Sequence, residues 1–223
     1  MAENTKSNIS IPQLIFIPSV ITLAITILRL VGELQHWPTS LFNPEAGGGG
    51  AIVGIVWLVP ILGVYFAMKL SAAGQGPASA GKAIGYSVLA LAITFAGGFI
   101  GFAPQIQFPG KIAVGLLLMA LGGVIPFFPW PALWKVLTAY GYAARIPVVI
   151  LMYFAIRGNW GTHYDVVPDG FPEDTAFWPK YMQIAFVPQM LIWVVFTIIV
   201  GSLFGSVAVA VTRRSRKQEQ QTA

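Results

Sequence analysis

Six long apolar stretches constrain this chain more than any other feature of its sequence. A helix that spans a membrane needs about 20 mostly apolar residues. The stretches that meet or approach this length are Ile11–Leu34, Gly50–Leu70, Ala83–Ala103, Ile112–Pro126, Leu133–Ile156 and Gln183–Val211. Charged residues make up only 9% of the chain, whereas a soluble domain carries about 25%. The sequence therefore predicts an all-α polytopic integral membrane protein, built as a bundle of six transmembrane helices.

The fourth stretch is the shortest, and it runs into a proline-rich sequence. Pro126, Pro129 and Pro131 lack a backbone N–H, so a regular helix is expected to stop there. Two interpretations remain open for this part of the chain. It is either a tight span or part of one broken helix over residues 112–134.

The positions of the basic residues predict an orientation. With the amino terminus inside, the inner side would hold Lys6, Lys69, Lys82, Lys135 and a cluster of Arg213, Arg214, Arg216 and Lys217. The outer side would hold only Lys111, Arg157 and Lys180. Because inner loops are enriched in Lys and Arg, both termini are predicted to be cytoplasmic, and the expected location is the cytoplasmic (inner) membrane of a bacterium.

This orientation divides the chain into three parts. Residues 1–10 form a short cytoplasmic terminus, residues 11–211 form the membrane domain, and residues 212–223 form a basic cytoplasmic tail. The basic cluster in the tail is expected to bind anionic lipid headgroups. The other basic residues are scattered between apolar runs, so the net charge of +5 does not indicate nucleic-acid binding. The predicted outer loop, residues 158–182, would cover the bundle as a lid or dock a partner.

Two arginines fall within the apolar stretches, where a charge is costly. Arg145 lies near the middle of the fifth stretch, two residues before Pro147, and is a candidate for ligand binding or gating. A structural arginine bonded to backbone carbonyls or headgroups is the alternative. Arg29 is a second, weaker candidate. It lies four residues before Glu33, and this spacing places both on one helix face as an expected ion pair.

Four consecutive glycines precede the second apolar stretch. Gly47, Gly48, Gly49 and Gly50 would expose backbone N–H groups to an anion at the start of a helix. A flexible hinge is the alternative interpretation, because glycine adopts many backbone conformations.

Two histidines, each with a carboxylate nearby, are predicted on the outer side. Glu33 and His36 end the first stretch, and His163 and Asp165 follow the fifth. Imidazole and carboxylate suit zinc, iron or manganese, so these four residues are a candidate metal site if the two ends meet. Histidines bonded to backbone are the commoner case. The sequence indicates no particular cofactor, and none is expected. The chain has no cysteine, which excludes thiol catalysis and cysteine-ligated metals within it.

Small residues also recur at helical spacing. The pairs Gly50/Gly54, Gly97/Gly101 and Gly201/Gly205 each place two glycines on one predicted helix face. Such faces allow close approach of helices in lipid, either within the bundle or with a partner subunit or second copy.

Three functions are compatible with these patterns. The first is a small transporter or channel-like protein with Arg145 and the glycines lining its path. The second is a non-catalytic structural or accessory subunit of a larger membrane complex. The third is a metal-dependent enzyme at the outer face, which is less expected because ordinary catalytic motifs are absent from the sequence.

Overall fold

The computed structural model describes residues 9–222, with side chains described through Ser215. The fold is all-helical, and no strand occurs in this part of the chain. The helices are α1 (Ile11–Leu34), α2 (Leu58–Ala72), α3 (Ala80–Phe102), α4 (Lys111–Val124), α5 (Pro131–Gly158), α6 (Phe177–Tyr181) and α7 (Trp193–Thr222). Two π-helical segments, Met182–Phe186 and Pro188–Ile192, join α6 to α7.

Within the described residues, four helices are long and apolar enough to cross a membrane. They are Ile11–Leu34, Ala80–Phe102, Pro131–Gly158 and the rod Phe177–Ser215 that joins α6 to α7. Many large apolar side chains on them face outward, including Phe16 at 66% exposed and Phe95 at 70%. A water-soluble surface rarely carries so much apolar area, whereas lipid tails accept it.

The other two predicted spans are shorter apolar helices: the fourth, Lys111–Phe127 with its final turn, lies close to its predicted bounds, and the second is shorter than predicted. The second does not begin at Gly50, because α2 starts only at Leu58. Gly47, Gly48 and Gly50 have φ of 74°, 65° and 77°, which a right-handed helix does not allow. The chain therefore stays irregular up to Trp57, and the predicted helix start at the four glycines is wrong.

The proline-rich sequence separates α4 from α5. A 3₁₀ turn at Ile125–Phe127 follows α4, and α5 begins at Pro131, where the missing N–H costs no helical hydrogen bond. Trp134 therefore belongs to α5, although its indole Nε1 donates to the carbonyl of Gly123 at 2.8 Å.

The rod formed by α6 and α7 lies at the centre of the bundle. α7 packs against α2, α3, α4 and α5, whereas α1 packs mainly on α5 and makes no contact with α7 in the described chain. One end of the bundle carries residues 35–57, 103–110 and 159–176, and it is called here the loop end. The opposite end, the tail end, carries the start of α1 and the last described side chains of α7.

Candidate functional site

A buried ion pair lies at the end of α1. Arg29 Nε donates to Glu33 Oε1 at 2.8 Å, and the Glu33 side chain is fully buried. The pair predicted from the four-residue spacing is therefore present. The same carboxylate also accepts from His163, through Nδ1 at 2.6 Å and through the backbone N–H at 2.9 Å. Glu33 thus joins α1 to the 159–176 loop.

Arg29 also holds the irregular segment that precedes α2. Its Nη2 donates to the carbonyl oxygens of Asn43 at 3.0 Å and Gly48 at 2.9 Å. A Cβ on Gly48 would lie 2.7 Å from both Arg29 Nη2 and His163 Cδ2. Glycine is therefore needed at position 48 for its positive φ and for this close approach.

The surroundings of His163 favour its neutral imidazole. Burial lowers the pKa of its imidazole below the ordinary value of 6.5, and Arg29 lowers it further, although the hydrogen bond to Glu33 acts in the opposite direction. The neutral ring donates its Nδ1 proton to the carboxylate and keeps Nε2 as an acceptor. The ring packs on Tyr164, with centroids 3.8 Å apart, and burial raises the pKa of the Tyr164 phenol.

Arg145 is a second buried cation, and it lies on α5. It is only 4% exposed. Its Nη1 donates to Gln189 Oε1 at 3.1 Å, and its guanidinium lies 4.8 Å from the centre of the Trp193 ring. Among the described residues no carboxylate lies within ion-pair distance of Arg145, and no backbone carbonyl accepts from it. It therefore carries an uncompensated positive charge.

The two arginines line one cavity of about 300 Å³. It occupies the space between α1 and the rod formed by α6 and α7, where the helices do not touch. The irregular segment contributes Gly48 and Gly54, and the 159–176 loop contributes His163 and Tyr164. Irregular backbone at membrane depth is tolerated where protein covers it or where it lines a cavity.

Only some of the four consecutive glycines line the cavity. Gly47 and Gly48 line the cavity, but Gly49 and Gly50 do not. Gly48 turns its carbonyl oxygen toward Arg29, so this residue accepts from a cation and does not form the predicted anion cradle.

The four predicted metal ligands are not brought together. Glu33 and His163 are in contact, but the side chain of His36 is exposed after the end of α1. The carboxylate of Asp165 accepts from the backbone N–H groups of Gly161 and Thr162 and from the Thr162 hydroxyl. No group of three or more His, Asp or Glu side chains suited to a metal ion occurs within the described residues.

The predicted packing glycines lie in two different settings. A Cβ on Gly97 would lie 2.7 Å from the carbonyl oxygen of Gly115, and Gly101 also faces Gly115. A Cβ on Gly205 of α7 would lie 2.7 Å from the carbonyl oxygen of Gly63 on α2, and a Cβ on Gly63 would meet the backbone of Gly201. A Cβ on Gly201 itself would meet the side chain of Leu137 on α5. The third pair, Gly50/Gly54, is not on a helix and forms no such face, because α2 starts after it.

Three residues of the cavity were missed in the sequence. Gln189 and Tyr164 carry no motif, and Trp193 is indistinguishable there from a packing residue. A usable signal was Pro188, because a proline within an apolar stretch disturbs the helix and exposes neighbouring polar groups. Of the predicted basic tail cluster, Arg213 and Arg214 are exposed on α7, and the side chains of Arg216 and Lys217 lie outside those described.

The fold and this site define an all-helical membrane protein with a cationic cavity inside its bundle. No protein-family model matches the chain, and comparisons with curated proteins and with solved structures also gave no match. The functional conclusion therefore depends on the cavity itself.

Proposed function

We propose that this chain is a small membrane transporter that binds an anion at Arg145 and carries it across the bilayer. The observation that carries this proposal is the uncompensated charge of Arg145. A cation inside the membrane costs about 2.5–3.5 kcal/mol even on insertion scales, and such residues usually face a cavity and mark a substrate path. A negatively charged ligand would supply the missing counter-charge.

The backbone around the cavity favours a protein that transports its ligand over one that only binds it. Transporter sites are often formed by discontinuous helices, whose broken turns allow one part to move against another. Here π-helical turns contribute Gln189, and Pro147 lies within the continuous helix α5, two residues after Arg145. The 159–176 loop lies over the same cavity through His163 and Tyr164, and we propose that it acts as a lid.

A six-crossing topology with both termini in the cytoplasm belongs to the same proposal. α2 has 15 residues, which span only about 22 Å of the ~30 Å hydrocarbon core. The irregular residues 49–57 would complete this crossing from the loop end. In this topology the loop end faces outward, and the membrane is the cytoplasmic membrane of a bacterium.

The alternative of an accessory subunit has less support. Its motivation was the glycine faces, but Gly97, Gly101, Gly201 and Gly205 are covered by other helices of the same chain. These four glycines are therefore used for packing within the chain.

Arg145→Gln tests the proposal in reconstituted vesicles. The substitution removes the charge but keeps a hydrogen-bonding side chain, so uptake of organic and inorganic anions should fall at least tenfold. The matched control is Arg157→Gln, because Arg157 is an exposed arginine of the same helix and lies outside the cavity. Its uptake should equal that of the wild type. Equal uptake by wild type and Arg145→Gln would contradict the proposal.

A further inference from the structure

The lining of the Arg145 cavity is mostly apolar apart from its few polar groups. Its apolar side chains include Ile25, Ile55, Val148, Met152, Ile184 and Pro188. A hydrated inorganic ion would leave these side chains against water, whereas an apolar body would cover them. Removing apolar groups from water stabilises the complex in proportion to the apolar area that is covered. The cavity therefore favours a ligand that is part anion and part hydrocarbon.

The charge balance of the cavity favours a single negative charge. Arg29 is paired with Glu33 at 2.8 Å. His163 hydrogen-bonds the same carboxylate, and with His163 as the neutral imidazole that its burial favours these three residues together carry no net charge. Arg145 alone contributes an uncompensated +1. A divalent anion such as sulfate would bring one charge that nothing in the described cavity balances, and burying an unpaired charge is costly.

The hydrogen-bond donors around Arg145 suit a planar group. The guanidinium has five N–H donors in a fixed fork that matches a carboxylate. Only one described hydrogen bond uses them, from Nη1 to Gln189 Oε1. Because Gln189 accepts through Oε1, its Nε2 group remains a donor. The guanidinium carbon of Arg145 lies over the Trp193 ring, 4.8 Å from its centre, and this contact is not a hydrogen bond.

The volume of the cavity favours a small ligand. Pockets for small molecules measure about 300–1,000 Å³. This cavity, at about 300 Å³, lies at the lower end. A single halide would leave much of it empty, and a long lipid chain would not fit inside it.

We propose that the ligand is a small organic monocarboxylate, with its carboxylate bound by Arg145 and Gln189 and its apolar body against Val148, Met152 and Ile184. This inference rests on the proposed function, since it assigns the substrate class to the same cavity.

Binding to the detergent-purified full chain tests the substrate class. The probes are benzoate and hexanoate, their uncharged analogues benzamide and hexanamide, and the inorganic anions chloride and sulfate. A ligand at free concentration c that binds only the folded protein stabilises it by RT ln(1 + c/Kd), so the unfolding midpoint keeps rising with ligand concentration once that concentration exceeds Kd. At least one carboxylate should raise the midpoint with this concentration dependence, and its amide should bind at least tenfold more weakly. Chloride and sulfate at matched ionic strength should give no such shift.

Three variants assign the binding to this cavity. Arg145→Gln should weaken carboxylate binding at least tenfold, and Arg157→Gln should leave it unchanged. Gln189→Leu keeps the arginine and should also weaken binding, which provides a second measurement if Arg145→Gln fails to fold. Quenching of Trp193 fluorescence by the carboxylate, lost in Trp193→Phe, would locate the ligand independently.

The outcomes separate the two proposals. Equal binding of a carboxylate and its amide would overturn the substrate class. Arg145-dependent binding and uptake of chloride or sulfate, without carboxylate binding, would overturn the class but leave the anion transporter standing. If no anion binds in an Arg145-dependent way and none is taken up, both proposals fail.

Discussion

The two buried arginines differ in how their charges are balanced. Arg29 has an internal carboxylate, Glu33, four residues further along the same helix. Among the described residues, Arg145 has only the amide of Gln189 and the face of Trp193. An amide and an aromatic face solvate a cation without neutralising it. Arg29 therefore connects the elements of the loop end, and Arg145 is the residue that we propose binds a ligand.

Glu33→Gln should destabilise the protein strongly. Removing one partner of a buried ion pair leaves the other charge uncompensated, and this typically costs about 3–5 kcal/mol. Here the loss would also weaken two hydrogen bonds from His163, because a neutral amide accepts less strongly than a carboxylate. The unfolding free energy measured by denaturant titration in micelles should fall by this amount.

Glu173→Gln is the control for this substitution, because Glu173 is an exposed acid of the 159–176 loop. Its unfolding free energy should change by less than about 0.5 kcal/mol. If the two variants were equally stable, the structural role assigned to Glu33 would be wrong.

For contacts between individual residues, the sequence predicted the local ion pair and missed the contacts between distant positions. The Arg29–Glu33 pair follows from helical spacing alone, so it could be predicted. The bond from His163 to Glu33 joins residues 130 positions apart, and Gln189 lies 44 positions from Arg145. Neither contact has a signature in the sequence, because both contacts depend on how the helices pack.

Among the helices, hydropathy predicted apolar segments better than it predicted their conformation. The stretch from Gly50 to Leu70 contains no charged residue before Lys69, yet its first part is irregular and α2 begins only at Leu58. Hydropathy measures the preference for lipid and contains no information on φ. The same irregular residues carry Gly54 to the side of Arg29, where a Cβ would lie 3.2 Å from Nη1.

The packing of α3 on α4 gives a prediction with a control in the adjacent residue. A Cβ on Gly97 would lie 2.7 Å from the carbonyl oxygen of Gly115, which belongs to backbone and cannot move aside easily. Gly97→Ala should therefore destabilise the protein by about 1–3 kcal/mol through overpacking. Thermal unfolding in detergent would measure this loss.

Gly98→Ala should not lower the stability of the protein. A Cβ on Gly98 meets no atom within 4 Å, and alanine favours a helix over glycine by about 0.5–1 kcal/mol. The variant should therefore be as stable as the wild type or slightly more stable. Equal destabilisation by both substitutions would show that α3 does not pack on α4 through Gly97.

For the molecule as a whole, the proposed topology can be tested cleanly because the sequence contains no cysteine. Asp169 is exposed at the loop end, and Ala78 is exposed at the tail end. An impermeant maleimide should label Asp169→Cys in intact cells and Ala78→Cys only after permeabilisation. Labelling of both positions in intact cells would contradict the six-crossing topology, and the reverse pattern would contradict its orientation.

The membrane class of the molecule could be predicted from the sequence, but its cavity could not. A chain with 9% charged residues and several long apolar runs has few alternatives to a membrane bundle. The cavity exists because α1 packs on α5 and does not reach α7. Such a gap depends on the relative placement of three helices, which no single segment encodes.

The number of residues in the π-helical turns before Trp193 determines the direction in which Gln189 points. The N–H of Val187 donates to the carbonyl of Met182, and the N–H of Trp193 donates to that of Pro188, each across five residues. Loss of one residue from the second turn would restore α-helical spacing and rotate Gln189 by about 100° relative to α7. The amide would then point away from Arg145 with its chemistry unchanged. A single deletion here is therefore equivalent to losing the side chain of Gln189.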